Sequence, residues 1–197
     1  MLCRGTHPQL RVGFDAASFA QRSRRLGDFS YSQIGTLMHI RDYRASDYDS
    51  LLALTIDVFG PFWEGSLRPT VGDTVFLAQD GGWEQDYRNH LRTVGDSSQG
   101  RFTLVAEDAG TIVGYVACQI NAAKPTAEVD ILAVREGHRA KGVASELCRT
   151  AFARMRDANC AAVWLGTGGD DFHAPARRFY ESLGMTAFPN VLYYQAL

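Results

Sequence analysis

The chain is short of most features that would place it in a specialised class. Its 197 residues include only four cysteines. Cys3, Cys118, Cys148 and Cys160 stand far apart and form no C-x-x-C pair, which argues against a disulfide framework. Cys118 falls in a strand pattern and Cys148 on the apolar side of a helix pattern. Both read as small core residues, in keeping with a reducing, cytoplasmic setting. No apolar run approaches membrane-spanning length, and nothing at the N-terminus has the apolar core of a secretory signal. The net charge of −2 argues against bulk electrostatic binding to nucleic acid. Internal repeats and low-complexity runs are missing, and no cluster has metal-ligand spacing, so no metal is expected. Length and composition then fit one ordinary globular domain with an appendage.

The appendage is residues 1–37. Arg4, Arg11, Arg22, Arg24 and Arg25 face only Asp15 and Asp28, with a weak helical stripe over Asp15–Arg25. The segment reads equally as a transit peptide, as an unstructured tail, or as sequence ahead of a start at Met38. From 38 to 197 the pattern alternates between strand and helix. Ile40–Tyr43 reads as a strand, and Ser46 caps a helix whose apolar side is Leu51, Leu52, Leu54, Thr55 and Val58 and which Gly60-Pro61 ends. Strands over Phe102–Glu107 and Ile112–Ile120 flank the hairpin signal Asp108-Ala109-Gly110. A fourth strand runs over Glu128–Val134, a fifth over Ala161–Leu165, and a final pair over Met185–Phe188 and Val191–Gln195. Helices are expected over Trp83–Leu91, after Arg139, and from Ala174 to Leu183 with Gly184 as C-cap.

The fourth strand and the helix after it are the most informative stretch. An apolar strand passes through a basic turn into a helix start at Arg139-Ala140-Lys141-Gly142-Val143-Ala144. A helix N-terminus presents unpaired N–H groups and the positive end of the macrodipole. Gly142 and Ala144 leave room for a bulky anion, and Arg139 and Lys141 add charge, so the turn is a phosphate cradle. It is not a P-loop, since Lys141-Gly142-Val143 has the wrong order. Gly166-Thr167-Gly168-Gly169 does not complete a G-x-G-x-x-G, so a dinucleotide fold is poorly supported.

Arg139-x-x-Gly142-x-Ala144, preceded by Leu132-Ala133-Val134, resembles motif A of the GNAT N-acetyltransferase superfamily. Ala176-Arg177-Arg178-Phe179-Tyr180-Glu181-Ser182-Leu183-Gly184-Met185 is similar to that family's second signature, Ala-x-x-x-Tyr-(x)3-Gly-Phe. Met185 stands where Phe is usual, and His173 where many members place an Asn that touches coenzyme A. The resemblance covers residues 38–197. It implies an α/β (α+β) GNAT fold: a mixed, mostly antiparallel sheet of roughly six or seven strands, splayed between strands four and five and flanked by about four helices.

It also implies acetyl-coenzyme A as donor. The resemblance places the pyrophosphate on Arg139, Ala140, Lys141, Gly142, Val143 and Ala144 and the pantetheine arm along Leu132, Ala133 and Val134. A backbone N–H near Val134 would then be an oxyanion donor, with His173, Ala176, Phe179 and Tyr180 completing the cofactor side. His173 also reads as an ordinary surface histidine. By strand alternation Glu128, Asp130, Leu132 and Val134 share one face, so both carboxylates are candidates for the base that deprotonates the acceptor amine. Tyr180, in the family's Tyr position, is the candidate general acid.

The acceptor is read from the segment before the hairpin. Between Asp57 and Asp86 six acids (Asp57, Glu64, Asp73, Asp80, Glu84, Asp86) face one base, Arg68, with Phe62, Trp63, Trp83 and Tyr87 among them. Such a segment reads either as a solvated helix and loop or as an acidic, aromatic wall around a cation. On the second reading Asp57, Phe62, Trp63, Glu64, Asp80, Trp83, Glu84 and Tyr87 bind the substrate, with Tyr193 and Tyr194 opposite. The expected function is acetyl transfer to a primary amine of a small cation, an aminoglycoside-type antibiotic first, with resistance as the consequence. A protein N-terminal or lysine acetyltransferase and a non-catalytic acetyl-coenzyme A module stand as alternatives. The resemblance allows a homodimer, as many members form.

Overall fold

The hairpin at Asp108-Ala109-Gly110 is the centre from which the sheet grows. Strands β2 (Arg101–Asp108) and β3 (Thr111–Ile120) pair antiparallel around it. Ala109 at φ +48° and Gly110 at φ +79° supply the left-handed pair that a tight two-residue hairpin demands. The computed structural model describes residues 38–197; the segment 1–37, with the stripe over Asp15–Arg25 and Cys3, lies outside the described residues. β1 (His39–Asp42) adds to one side of the hairpin and β4 (Thr126–Val134) to the other, both antiparallel. β5 (Ala162–Leu165) joins β4 in parallel, giving the order β1-β2-β3-β4-β5.

Two apolar layers sandwich the sheet. On one face lie α1 (Tyr48–Phe62), a π-helical turn (Trp63–Leu67), α2 (Arg68–Val71), α3 (Asp73–Gln79) and α4 (Trp83–Leu91). Leu51, Leu54, Phe76, Tyr87 and Leu91 meet Tyr115, Ile131 and Ala133 there. Thr55 satisfies its buried hydroxyl on the Leu51 carbonyl and shares a 2.6 Å hydrogen bond with the Tyr115 hydroxyl. On the other face α5 (Val143–Asp157) places Val143, Leu147, Ala151 and Met155 on Val116, Val129 and Val134. Cys118 and Cys148 are buried free thiols. Gly114 lets the start of α5 close on the sheet, since a Cβ there would come within 3.0 Å of the Val143 side chain.

Three expectations change. Gly60-Pro61 does not end the first helix: Pro61 lies inside α1, and the chain runs on through the π-helical turn. The wider turn brings Phe62 and Trp63 into the core, both 6% exposed, and that burial outweighs the proline's missing hydrogen bond. The final strand pair is not formed. Residues after α6 (Ala174–Ser182) have no regular structure, and the described sheet has five strands. A strand-like pattern becomes a strand only with an edge to pair with, and Pro189 lacks a donor for that ladder. The third change, in β4, shapes the site.

Candidate functional site

β4 carries a bulge. Ala117 pairs with Ile131, but the next residue, Cys118, pairs with Val129, so Asp130 is an extra residue. The bulge reverses the facing of everything after it. Ala127 and Val129 pack on the α5 side, whereas Ile131 and Ala133 pack on the α1 side. Leu132 and Val134 therefore belong to the α5 layer. Simple alternation would have put Glu128, Asp130, Leu132 and Val134 on one face; the structure leaves only the two carboxylates together, beneath α4.

The two carboxylates differ in their company. Asp130 meets His90 Nε2 of α4 at 2.6 Å and Arg101 of β2 at 3.4 Å. Among the described residues the Glu128 side chain makes no hydrogen bond or ion pair. Burial, then the nearby Asp130 charge, raises its pKa above the ordinary glutamate value, while Arg101 and His90 oppose the rise. Arg101, Gln119, Glu128 and Trp164 are register partners across β2, β3, β4 and β5, so they form one row on this face. Three of the row, Gln119, Glu128 and Trp164, line a depression of about 370 Å³ together with Ser98, Gln99, Gly100 and Asn121.

Beside it the sheet opens. β5 pairs with β4 only from Thr126 to Val129, so the stretch Asp130–Val134 has no strand on that side among the described residues. Past β4 comes the turn. Glu136–His138 is a short 3-10 turn, Arg139 is extended, and Ala140 (φ +57°) and Gly142 (φ +83°) are left-handed before α5 starts at Val143. The N–H groups of Val143, Ala144 and Ser145 have no intrahelical acceptor by position, while Glu146 N–H is the first to close on Gly142. Ala140, Lys141 and Gly142 are exposed, Ala144 half-buried and Val143 buried. Arg139 Nε donates to the Val134 carbonyl at 3.2 Å, tying the turn to the strand end. An exposed, positive helix start beside an open strand edge is an arrangement that can accept a long phosphorylated molecule lying along one strand. The donor set fits a pyrophosphate followed by an amide-bearing arm.

α6 carries the remaining residues expected on the cofactor side. Its Ala176 is half-buried, Phe179 packs against Tyr180 at 5.4 Å, and Gly184 (φ +82°) ends the helix as expected, with Met185 N–H on the Tyr180 carbonyl. The Tyr180 hydroxyl has no hydrogen-bond partner among the described residues, and burial beside Cys148 pushes its pKa well above the ordinary tyrosine value. His173 is not a surface histidine; it is 7% exposed. Its Nδ1 lies 2.7 Å from Asp170 Oδ2, its ring meets Phe62 and Phe172 edge-on, and its buried Nε2 has no partner. Burial lowers the His173 pKa, with Asp170 opposing.

The expected acidic and aromatic wall is not a wall. Phe62, Trp63, Trp83 and Tyr87 are core residues, with Trp63 and Trp83 stacked at 6.1 Å and Trp83 edge-on to Tyr87 at 6.2 Å. Among the acids, Glu64 accepts from Trp83 Nε1 at 3.0 Å and from Arg68 at 2.9 Å. Arg68 also binds Asp73, and Glu84 pairs with Arg88. Asp57 sits with Asp49 and Arg88 in a separate shallow depression between α1 and α4. Asp80 is the half-buried C-cap of α3, its pKa raised by burial and by Asp86. None of the eight lines the depression at Glu128. Interleaved rings and acids had two outlets, and burial of the rings against one another prevailed. Tyr193 is 92% exposed. Sequence reasoning missed Arg101, Gln119 and Trp164. The signal for Trp164 was its phase, opposite the inward Val163 and Leu165.

Residues 71–185, more than half of the chain, match the family model described as Acetyltransferase (GNAT) family. The chain belongs to that family: it is an acetyl-coenzyme A-dependent N-acetyltransferase. Solved structures with the same fold include the PaiA N-acetyltransferase of Thermoplasma acidophilum in complex with coenzyme A, with a TM-score of 0.59, 15% identity, and 75% of this chain and 88% of that one covered. The aminoglycoside N-acetyltransferase AAC(6')-Iy with coenzyme A gives 0.59 and 13% over 84% and 98%. An aminoglycoside acetyltransferase from an uncultured soil metagenomic sample, in complex with sisomicin, gives 0.54 and 17% over 81% and 95%. At these identities they speak for the fold. No curated protein matches the chain.

Proposed function

We propose that the enzyme acetylates a primary amine of a small cationic acceptor, by direct transfer with both substrates bound, and that aminoglycoside-type amines are the first acceptors to try. The carrying observation is Glu128: a half-buried carboxylate with no partner of its own, on the wall of a depression beside the open edge of β4. Bound acetyl-coenzyme A supplies the activated acyl group. The N–H groups from Ala140 to Ala144 would hold its pyrophosphate, with Arg139 adding its side-chain charge because its own N–H is spent on the Glu136 carbonyl. The unpaired edge of Asp130–Val134 would offer hydrogen bonds to its amide arm. The acceptor ammonium enters against Glu128, and a raised pKa makes this carboxylate a better acceptor for the amine proton than an ordinary one. Asp130, spent on His90 and Arg101, holds the field around Glu128 and is the weaker candidate for the base. Tyr180 keeps its proton across the working pH range and is the donor assigned to the departing thiolate, with a backbone N–H near Val134 as oxyanion donor. Two of the similar structures are of aminoglycoside acetyltransferases, which supports the acceptor class.

The test is thiol release from acetyl-coenzyme A over a panel of aminoglycosides, simple amino sugars, polyamines and peptides. Turnover of the sugar-borne amines is expected. Turnover of peptides alone would replace this reading with protein acetylation, and binding of acetyl-coenzyme A without any turnover would make the chain a non-catalytic module.

A further inference from the structure

The acceptor depression holds more than a base. Across the exposed end of the sheet, Gln119, Glu128 and Trp164 stand side by side on β3, β4 and β5. Trp164 is 51% exposed, although its strand neighbours Val163 and Leu165 pack into the core. An indole held open on a sheet next to a free carboxylate is an unusual use of a large apolar ring, since exposure leaves much of its burial energy unrealised. The rest of the wall is uncharged: Ser98, Gln99, Asn121 and Thr126 are polar, and Ile120, Ala122 and Ala127, with the backbone at Gly100, complete it. Among the described residues Glu128 is the only ionisable group lining the depression. Behind it, Asp130 is engaged by His90 and Arg101, and the Arg101 guanidinium acts on Glu128 from the same row.

These features select among amines. A polycation gains from several carboxylates, and here a guanidinium lies close behind the single free one. A purely aliphatic amine suits Ile120 and Ala122 but forgoes the hydrogen bonds that the remaining amide and hydroxyl groups of the wall can make. One ammonium on a hydroxylated ring satisfies all of them: its charge meets Glu128, its C–H face covers the indole, and its hydroxyls meet the amides. Resting on the acetyltransferase reading above, we infer that Trp164 is the platform for a single amino-sugar ring and sets acceptor specificity, with Glu128 taking one ammonium only. Further charged rings of a larger substrate lie outside the depression and add little.

The experiment uses the full chain and compares glucosamine, cyclohexylamine, spermidine and sisomicin as acceptors for wild type, Trp164→Ala and Trp164→Phe. Wild type is expected to show a kcat/KM for glucosamine at least tenfold above those for cyclohexylamine and spermidine and no lower than that for sisomicin. Trp164→Ala is expected to raise the KM for glucosamine about tenfold with kcat within threefold, and Trp164→Phe to recover most of the loss by restoring a ring. A tenfold preference for sisomicin or spermidine, or an unchanged KM in Trp164→Ala, overturns the inference. A second readout does not need turnover. Of the three tryptophans, Trp63 and Trp83 are buried, so a change of indole emission on titrating glucosamine reports Trp164. If none of the four amines is acetylated, the small-amine reading fails by itself. The titration then decides the platform: an emission change with glucosamine that is lost in Trp164→Phe supports it, and no change overturns it.

Discussion

On the α5 face of β4, Val134 and the cradle at Arg139–Ala144 depend on backbone: a strand end, two left-handed residues and a helix start. On the α1–α4 face, Glu128 and Asp130 depend on which side chains surround them, and the same strand gives one carboxylate two partners and the other none. The difference is one of robustness. A backbone site survives most changes of its side chains, because N–H groups belong to every residue but proline. A side-chain site changes character when a neighbour is gained or lost. One face can therefore keep a common cofactor while the other is refitted to different amines.

The sharpest way to break this contrast is Glu128→Gln. A fall in kcat of about 10²- to 10⁴-fold is expected, the usual weight of a general base, with acetyl-coenzyme A binding by calorimetry unchanged. Loss of cofactor affinity would show instead that the two faces are not independent. The acid limb of the wild-type kcat/KM profile should lie above an ordinary glutamate pKa, because burial and Asp130 both raise that of Glu128. Asp130→Asn removes a negative charge, so the limb should move to lower pH; a move upward would rule out Glu128 as the titrating base.

Gly168→Ala probes the loop between β5 and α6. A Cβ there would run into the Asp170 carboxylate and the His173 ring, separating the pair. Stranding a buried histidine costs about 1–3 kcal/mol, and thermal unfolding should register it. The native pair also has a pH signature. Since the folded pKa of His173 is depressed by burial, the unfolded chain binds more protons between that value and about 6.5, so stability should fall as pH drops below about 6.5. Denaturant midpoints that do not change from pH 7.5 to 5.5 would contradict this.

Gly142→Ala tests the backbone face alone. The position is sterically open but left-handed at φ +83°, and an L side chain there costs about 1–2 kcal/mol. If that strain is relieved by reshaping the turn, the KM for acetyl-coenzyme A rises about 5- to 30-fold while acceptor KM stays put. Lysine or arginine substitutions of exposed Ala140 should matter far less. The smallest expected effect on activity is that of Thr55→Val, which leaves the buried Tyr115 hydroxyl without its partner at about 1–3 kcal/mol of stability and should leave both Michaelis constants unchanged.

Much of the chain was legible in advance because it is written locally. The hairpin at Ala109-Gly110, the cap at Gly184 and the cradle at Gly142 each follow from the φ that one residue can adopt. The amphipathic spacing of Leu147, Cys148, Ala151 and Met155 fixes which side of α5 meets the sheet. The family and its cofactor were legible on other grounds, the resemblance of Arg139–Ala144 and Ala176–Met185 to two known signatures.

What only the tertiary structure decided is how non-local contacts resolve local ambiguity. The bulge at Asp130 comes from pairing between β3 and β4, and it turns Leu132 and Val134 away from Glu128. Whether Trp63 and Trp83 would meet a ligand or each other depended on the π-helical turn bringing them together. His173 read as a surface residue until α1 supplied Phe62 to cover it. Trp164 stands open because no helix of the α1–α4 layer reaches β5 in force. Spacing along a chain sets which residues share an element, while burial and charge pairing, which act between elements, set which of them remain free to meet a substrate.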